Sequence, residues 1–224
     1  MQGPGPGLWK IVYDQTFKLV ADKGDSYLPF GQVIMLADCL AVMPHHFMSL
    51  IMQYIDEGQL THETPLILKN TNGDRVIMTI NKFLSYPTFS DTAADLCFIN
   101  FNKGFRLYRN IIDFFLKESD YATVGGRGVR LDVAAITGEN MEERMPLDKV
   151  TYITPNVKVG NTVLRASKRT YTRWVQYEAA TQFGDCGAPV SLTDYRYYSN
   201  RFVLGMHVAG TPATGEAFAT LIPQ

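Results

Sequence analysis

Apolar and polar residues alternate with a period of two along much of this 224-residue chain. That rhythm predicts short strands whose successive side chains face opposite ways. In residues 75–81, Val76, Met78 and Ile80 run alongside an equally apolar Ile77, the pattern of a largely buried strand. Val150 and Tyr152 alternate with Thr151, and Val157 and Val159 flank Lys158. Phe202, Leu204, Met206 and Val208 alternate with Arg201, Val203, Gly205 and His207. Turn formers separate these runs: Asn72-Gly73-Asp74, the glycine-rich segment 124–128, Gly160-Asn161 and Pro212. Many short strands punctuated in this way predict an all-β barrel or sandwich. Two stretches predict helix instead, residues 47–57 and residues 107–118 near the middle of the chain. No internal repeat is visible.

Composition narrows the function. Hydrophobic residues at 46% and aromatics at 12% supply a packed core and argue against disorder;. The formal net charge is −1, so any RNA binding needs a local basic patch;. Three cysteines, an odd number with no CxxC pair, disfavour a disulfide scaffold or a zinc site and fit a reducing compartment;. Four histidines, two of them adjacent, leave few ligands for a metal;. No metal or cofactor is expected. No apolar run approaches the roughly 18 residues of a membrane span. The opening Met1-Gln2-Gly3-Pro4-Gly5-Pro6-Gly7 lacks the basic-then-apolar order of a signal peptide and reads as a flexible lead-in;. The expectation is a soluble, intracellular protein.

The chemistry gathers late in the chain, in Thr181-Gln182-Phe183-Gly184-Asp185-Cys186-Gly187-Ala188-Pro189-Val190 and in Gly205-Met206-His207-Val208-Ala209-Gly210. A cysteine between Gly-Asp and Gly sits on a tight bend. Such a bend can aim the sulfur and several N–H groups at one point, as acyl transfer through an oxyanion requires. The segment resembles the active-site segment of the 3C and 3C-like cysteine proteases of picornaviruses and their insect-virus relatives. Those enzymes carry Cys where chymotrypsin-like proteases carry Ser. The resemblance implies an all-β, chymotrypsin-like double β-barrel with short helices. It puts the N-terminal barrel at residues 8–107, a linker at 108–119 and the C-terminal barrel at 120–224. It runs from Pro44 to Gly210, with residues 120–175 matching only as strands. Iflaviruses and dicistroviruses are the closest-looking group.

A thiol with an ordinary pKa near 8.5 is mostly protonated at neutral pH and needs a base. In Leu40-Ala41-Val42-Met43-Pro44-His45-His46-Phe47, alignment on Pro44 makes His46 the general base and gives His45 the variable position. The adjacent histidines leave a one-residue slip open. Asp95, leading into the apolar Leu96-Cys97-Phe98-Ile99, matches the third member of the triad, with Asp91 and Glu63 as competing acids. The oxyanion segment is Gly184, Asp185 and Cys186: the N–H groups of Gly184 and Cys186 form the hole and Asp185 shapes the bend. Thr181 and His207 match the pair that donates hydrogen bonds to a P1 glutamine. Val208, Ala209 and Gly210 match the edge to which the substrate adds as a strand, and residues 193–201 look like a lengthened hairpin loop.

Residues 102–111 resemble the RNA-binding inter-barrel segment of picornavirus relatives, with Lys103, Arg106 and Arg109 as candidate phosphate contacts. Gly104 is inserted here, and the Asp that follows Arg in the family is missing. The alternative for this segment is a solvated linker with its aromatics in the core. The reading implied is a cysteine endopeptidase that cleaves a viral polyprotein after Gln, at Gln–Gly junctions, in the host cytoplasm, with viral RNA as a further candidate partner. Gln2-Gly3 and the terminal Gln224 are ends that self-excision at such junctions would leave. The rivals are a protease-fold RNA-binding domain and a cellular trypsin-like serine protease. Cys186 in the serine position and the lack of paired cysteines disfavour the latter.

Overall fold

Among the described residues, the alternating runs assemble into two seven-stranded antiparallel sheets and a two-stranded ribbon. The computed structural model describes residues 7–102, 105–137, 145–166, 169–194 and 200–224. The lead-in at residues 1–6 lies outside the described residues. The first sheet contains β1 (Thr16–Asp22), β2 (Tyr27–Ala37), β3 (Leu40–Pro44), β4 (Pro65–Lys69), β5 (Arg75–Thr79), β6 (Thr88–Asp91) and β7 (Leu96–Asn100), in the order β5-β4-β1-β2-β3-β7-β6. The second contains β8 (Val129–Ile136), β9 (Leu147–Thr154), β10 (Lys158–Gly160), β13 (Trp174–Glu178), β14 (Pro189–Leu192), β15 (Val203–Thr211) and β16 (Glu216–Leu221), in the order β10-β13-β16-β15-β14-β8-β9. Between β10 and β13 the ribbon pairs β11 (Leu164–Ala166) with β12 (Arg169–Tyr171). This is the chymotrypsin-like double β-barrel.

Period-two alternation explains how the barrels join. On β2, Val33 and Met35 enter the first core, whereas Ile34 and Leu36 face the other way and pack with Val129, Leu131 and other residues of the second barrel. On β1, Phe17, Leu19 and Ala21 fill the first core while Lys18, on the opposite face, is only 3% exposed. Both faces of these strands are therefore buried. One face builds a barrel and the other seals it to its neighbour. Polar links cross the same seam: the Thr220 hydroxyl donates to the Ala94 carbonyl at 2.6 Å, and the Ala134 N–H donates to Gln32 Oε1 at 3.1 Å.

Among the described residues, three α-helices decorate the barrels. α1 (Gly7–Asp14), which the sequence pattern did not announce, buries Val12 and lodges Trp9 edge-on against Phe202. α2 (His46–Asp56) occupies the stretch expected at 47–57. α3 (Ile80–Leu84) corrects the strand expected at 75–81: β5 stops at Thr79, whose hydroxyl caps the new helix by accepting from the Lys82 N–H;. The same strand is not largely buried either. β5 lies at the sheet edge and leaves Ile77 about half exposed.

The helix expected over residues 107–118 is also absent. Two short 3₁₀ turns, Ile112–Phe114 and Glu118–Thr123, stand there. Neighbouring strands satisfy the backbone instead, since the N–H groups of Tyr108, Ile111 and Leu116 donate to the carbonyls of Asp38, Leu36 and Val203. With these donors bonded outward to both barrels, a continuous α-helical ladder cannot form here;.

Candidate active site

His46 opens α2 immediately after β3 and packs its ring edge-on against Phe47. Its Nδ1 lies 2.7 Å from Asp95 Oδ2, and its backbone N–H donates to Asp95 Oδ1 at 2.9 Å. The His45 N–H donates to the Asp95 carbonyl at 3.0 Å, so one aspartate fixes the backbone and the ring together. An ionised carboxylate accepts only, so Nδ1 carries the ring proton and Nε2 is left basic. Asp95 sits at φ +55°, left-handed backbone that aspartate tolerates better than most residues;. Tyr171, on the ribbon, donates its hydroxyl to the same Oδ2 at 3.4 Å. The His45 ring makes no hydrogen bond to Asp95 among the described residues; it lines a cleft with His46, Gln53, Asp95, Arg169 and Thr170. Asp91 caps the turn by accepting from the Ala94 N–H and makes no hydrogen bond to His46 among the described residues.

Cys186 comes from the other barrel, on the bend before β14. Gly184 and Gly187 flank it at φ +95° and +88°, and the bend needs both, because a Cβ on Gly187 would stand 1.9 Å from the Gln32 carbonyl oxygen;. The Asp185 side chain shapes the turn by accepting from the Gln182 N–H at 2.7 Å. Hydrogen bonds around the bend are selective. The N–H groups of Asp185, Gly187 and Ala188 donate to the carbonyls of Gln182, His207 and Asp185. Those of Gly184 and Cys186 donate to no acceptor among the described residues, which leaves two amides, two residues apart, for a ligand.

The Cys186 thiol donates to the Val208 carbonyl at 3.4 Å. Burial pushes its pKa up to about 12, and the Asp95 and Asp185 carboxylates push the same way against Arg169 and Lys18. The resting sulfur is therefore a thiol.

Beside Cys186 lies a second buried histidine. His207 on β15 is 1% exposed, and its Nδ1 is 2.6 Å from the Tyr177 hydroxyl. Burial, helped by His46, lowers its pKa to about 3, so the ring is neutral at working pH. Burial also raises Tyr177 well above the ordinary tyrosine range, so its hydroxyl keeps its proton. The arrangement that satisfies both has the hydroxyl donating to Nδ1, which puts the ring's proton on Nε2. Thr181 and His207 converge here: a Cβ built on Gly210 would meet Thr181 Oγ1 at 2.4 Å and His207 Cε1 at 3.8 Å. β14 pairs with β15 as far as Met206 and backbone bonds continue to His207, so Val208, Ala209 and Gly210 run past the end of β14, with the Val208 carbonyl accepting from the Cys186 thiol.

The basic segment is arranged differently. Lys103 lies outside the described residues. Arg106 pairs with Asp74 at 2.9 Å and lies over the Tyr108 ring, Arg109 lies over Phe114, and Phe105 stacks on Phe101 at 4.3 Å. Aromatics of this segment thus serve the core, and its two described arginines are held by separate partners. Among the described residues no cluster of three or more His, Cys, Asp or Glu could hold a metal, and no helix is long and apolar enough to cross a membrane.

Sequence reasoning missed Tyr177, Tyr171 and Lys18. Only Lys18 carried a visible signal, a lysine inside the apolar run Phe17-Lys18-Leu19-Val20.

A double barrel with a cysteine on a tight bend of one half and a hydrogen-bonded His–Asp pair on the other is the architecture of a chymotrypsin-like cysteine protease. The sequence model of the 3C cysteine protease (picornain 3C) family matches residues 73–212. The match takes in Asp95, Cys186 and His207 and begins after His46. Among solved structures, the chain is similar to catalytically inactive tobacco etch virus protease complexed with substrate, at 10% identity over 96% of this chain and 81% of that one, with a TM-score of 0.62. It is similar to the HRV-C 3C protein with rupintrivir at 14% identity, over 92% and 91% of the two chains, with a TM-score of 0.53. The MamO protease domain from Magnetospirillum magneticum shares the fold at 12% identity, over 96% and 94%, with a TM-score of 0.58. No curated protein matches the sequence. The chain belongs to the 3C cysteine protease family.

Proposed function

We propose that this protease processes a viral polyprotein in the host cytoplasm by cleaving after glutamine, at Gln–Gly junctions, through an acyl-enzyme on Cys186. The observation that carries the specificity is the neutral, buried His207, oriented by Tyr177 and adjoined by Thr181. Two uncharged donors suit the carbonyl oxygen of a glutamine amide. A P1 glutamate would enter a desolvated pocket with no counter-charge, and a leucine would leave both donors unpaired. Each unpaired donor costs about 1–3 kcal/mol.

The chemistry follows from the resting thiol. His46 Nε2 takes the Sγ proton as sulfur attacks the scissile carbonyl carbon, and the C=O pair moves onto oxygen. The N–H groups of Gly184 and Cys186 receive that oxyanion. Asp95 stabilises the imidazolium without becoming protonated. The imidazolium then protonates the leaving amine as the C–N bond breaks, and a water deprotonated by His46 releases the acyl group. The stretch of β15 at 208–210, past the end of β14, receives the substrate backbone as an added strand. The three free cysteines fit a reducing compartment;.

The test is a peptide panel X–Gly with X as Gln, Glu, Leu and Lys, run with the wild-type protein and with Cys186→Ala. Gln should lead by tenfold or more and the alanine variant should cut nothing. A leading Lys, or a flat profile, overturns the specificity; cleavage by Cys186→Ala overturns the mechanism.

A further inference from the structure

We propose that Lys18 is a positioning residue that holds the oxyanion segment in its working orientation from the opposite barrel. The inference rests on the reading of the Gly184 and Cys186 amides as the oxyanion hole. Lys18 and Gln32 are cross-strand partners on β1 and β2. Both reach the nucleophile bend. Lys18 Nζ donates to the Gly184 carbonyl at 2.5 Å, and the Gln32 backbone N–H donates to the Cys186 carbonyl at 2.7 Å. The two carbonyls that bracket Asp185 are thus tied to one rung of the first barrel.

These ties determine which backbone groups remain for substrate. The peptide unit between Gly184 and Asp185 is fixed at both ends, its oxygen by Lys18 and its N–H by the Gln182 carbonyl. At φ +95°, Gly184 has several backbone wells open to it;. The ammonium selects the well in which the Gly184 and Cys186 amides stay unpaired. Space around the glycine is tight: an added Cβ would meet Lys18 Nζ at 3.1 Å and Pro29 Cβ at 3.3 Å.

A merely structural role explains Lys18 poorly. The side chain is 3% exposed, and its one hydrogen-bond acceptor among the described residues is this carbonyl. Burial depresses its basicity, with Asp185 and Cys186 opposing that effect. A methionine of similar length would fill the site without the desolvation cost of an ammonium. The charge also weakly favours negative charge on Cys186.

The test compares wild type with Lys18→Met, which keeps the length and loses the charge and the donor, and with Lys18→Arg. Steady-state cleavage of a Gln–Gly peptide separates kcat from KM. Binding of a peptide aldehyde ending in Gln, whose oxygen becomes the oxyanion on addition of sulfur, is measured against the corresponding alcohol. Lys18→Met should lower kcat about a hundredfold, within the range for losing one oxyanion donor, with KM within threefold and the Gln preference intact. Aldehyde affinity should fall in step while alcohol affinity holds, and Lys18→Arg should recover part of both. If Lys18→Met fails to fold, Lys18→Gln, a shorter neutral donor, carries the same expectation. A kcat within threefold of wild type, or tight aldehyde binding unaffected by the substitution, overturns the role of Lys18 alone. An aldehyde no tighter than the alcohol on wild type overturns the oxyanion site, and with it both readings.

Discussion

Replacing Gly210 with alanine should damage the pocket proposed for glutamine without touching Cys186. The glycine is not in left-handed backbone, so an alanine meets no conformational strain there. The added methyl would lie 2.4 Å from Thr181 Oγ1, roughly 1 Å inside ordinary contact, while Glu216 O and His207 Cε1 are clear at 3.7 and 3.8 Å;. The cheapest relief is rotation of Thr181 to another χ1 well, which carries its hydroxyl off the site beside His207. One lost hydrogen bond in a desolvated pocket costs about 1–3 kcal/mol, roughly five- to 150-fold in kcat/KM. The expected loss lies toward the lower end, because His207 still donates. The assay is kcat/KM on Gln, Glu and Leu peptides for Gly210→Ala, Thr181→Val and the double variant. Iodoacetamide labelling of Cys186 reports on the nucleophile. The Gln advantage should shrink in both single variants with labelling unchanged. The double variant should be no more than about twofold worse than the poorer single one, because both substitutions remove the same bond. Additive losses, or an equal loss on all three peptides, would refute the reasoning.

Three further expectations follow from the same geometry. His46→Ala should cost orders of magnitude in kcat while His45→Ala retains most activity; the reverse outcome means the base is His45. Tyr177→Phe should leave His207 Nδ1 buried without a donor and free the ring's tautomer, lowering the melting temperature and weakening the Gln preference less than His207→Ala does; an unchanged preference and melting temperature would refute it. For pH, folded His207 stays neutral down to about 3, whereas the unfolded chain binds a proton near 6.5;. The unfolded state then holds more protons, so stability falls as pH drops from about 6.5 toward 3, by up to about 1.4 kcal/mol per pH unit. Melts of wild type against His207→Gln between pH 7.5 and 4 should show the steeper loss in wild type, and parallel curves would count against the assignment.

Much of the site was legible because its chemistry is written in short, rigid segments. Gly184 and Gly187 can only mark a bend, and Pro44 registers the histidine pair. The alternation through β15 puts His207 on a strand near the nucleophile. What stayed hidden depends on distant partners. Lys18 meets Gly184 across 166 positions, and Tyr171 meets Asp95 across 76. No local spacing carries such contacts. Residues 107–118 misled for a related reason. Tyr108, Ile111, Phe114 and Phe115 have helical spacing, yet they divide between the two cores, and the backbone follows the barrels rather than its own ladder. The strand at 75–81 was over-read because apolar Ile77 faces solvent at a sheet edge.

The anchoring of the nucleophile bend on β1 and β2 also bears on timing during synthesis. Lys18 and Gln32 leave the ribosome early, together with His46 and Asp95, and Cys186 emerges much later. A nascent chain that has completed only the first barrel holds a base and an anchor with nothing to act on. A second barrel separated from the first would present its cysteine on a bend without its two tethers. Peptide-cutting ability therefore waits until the halves dock, since neither barrel alone holds both the His46–Asp95 pair and Cys186.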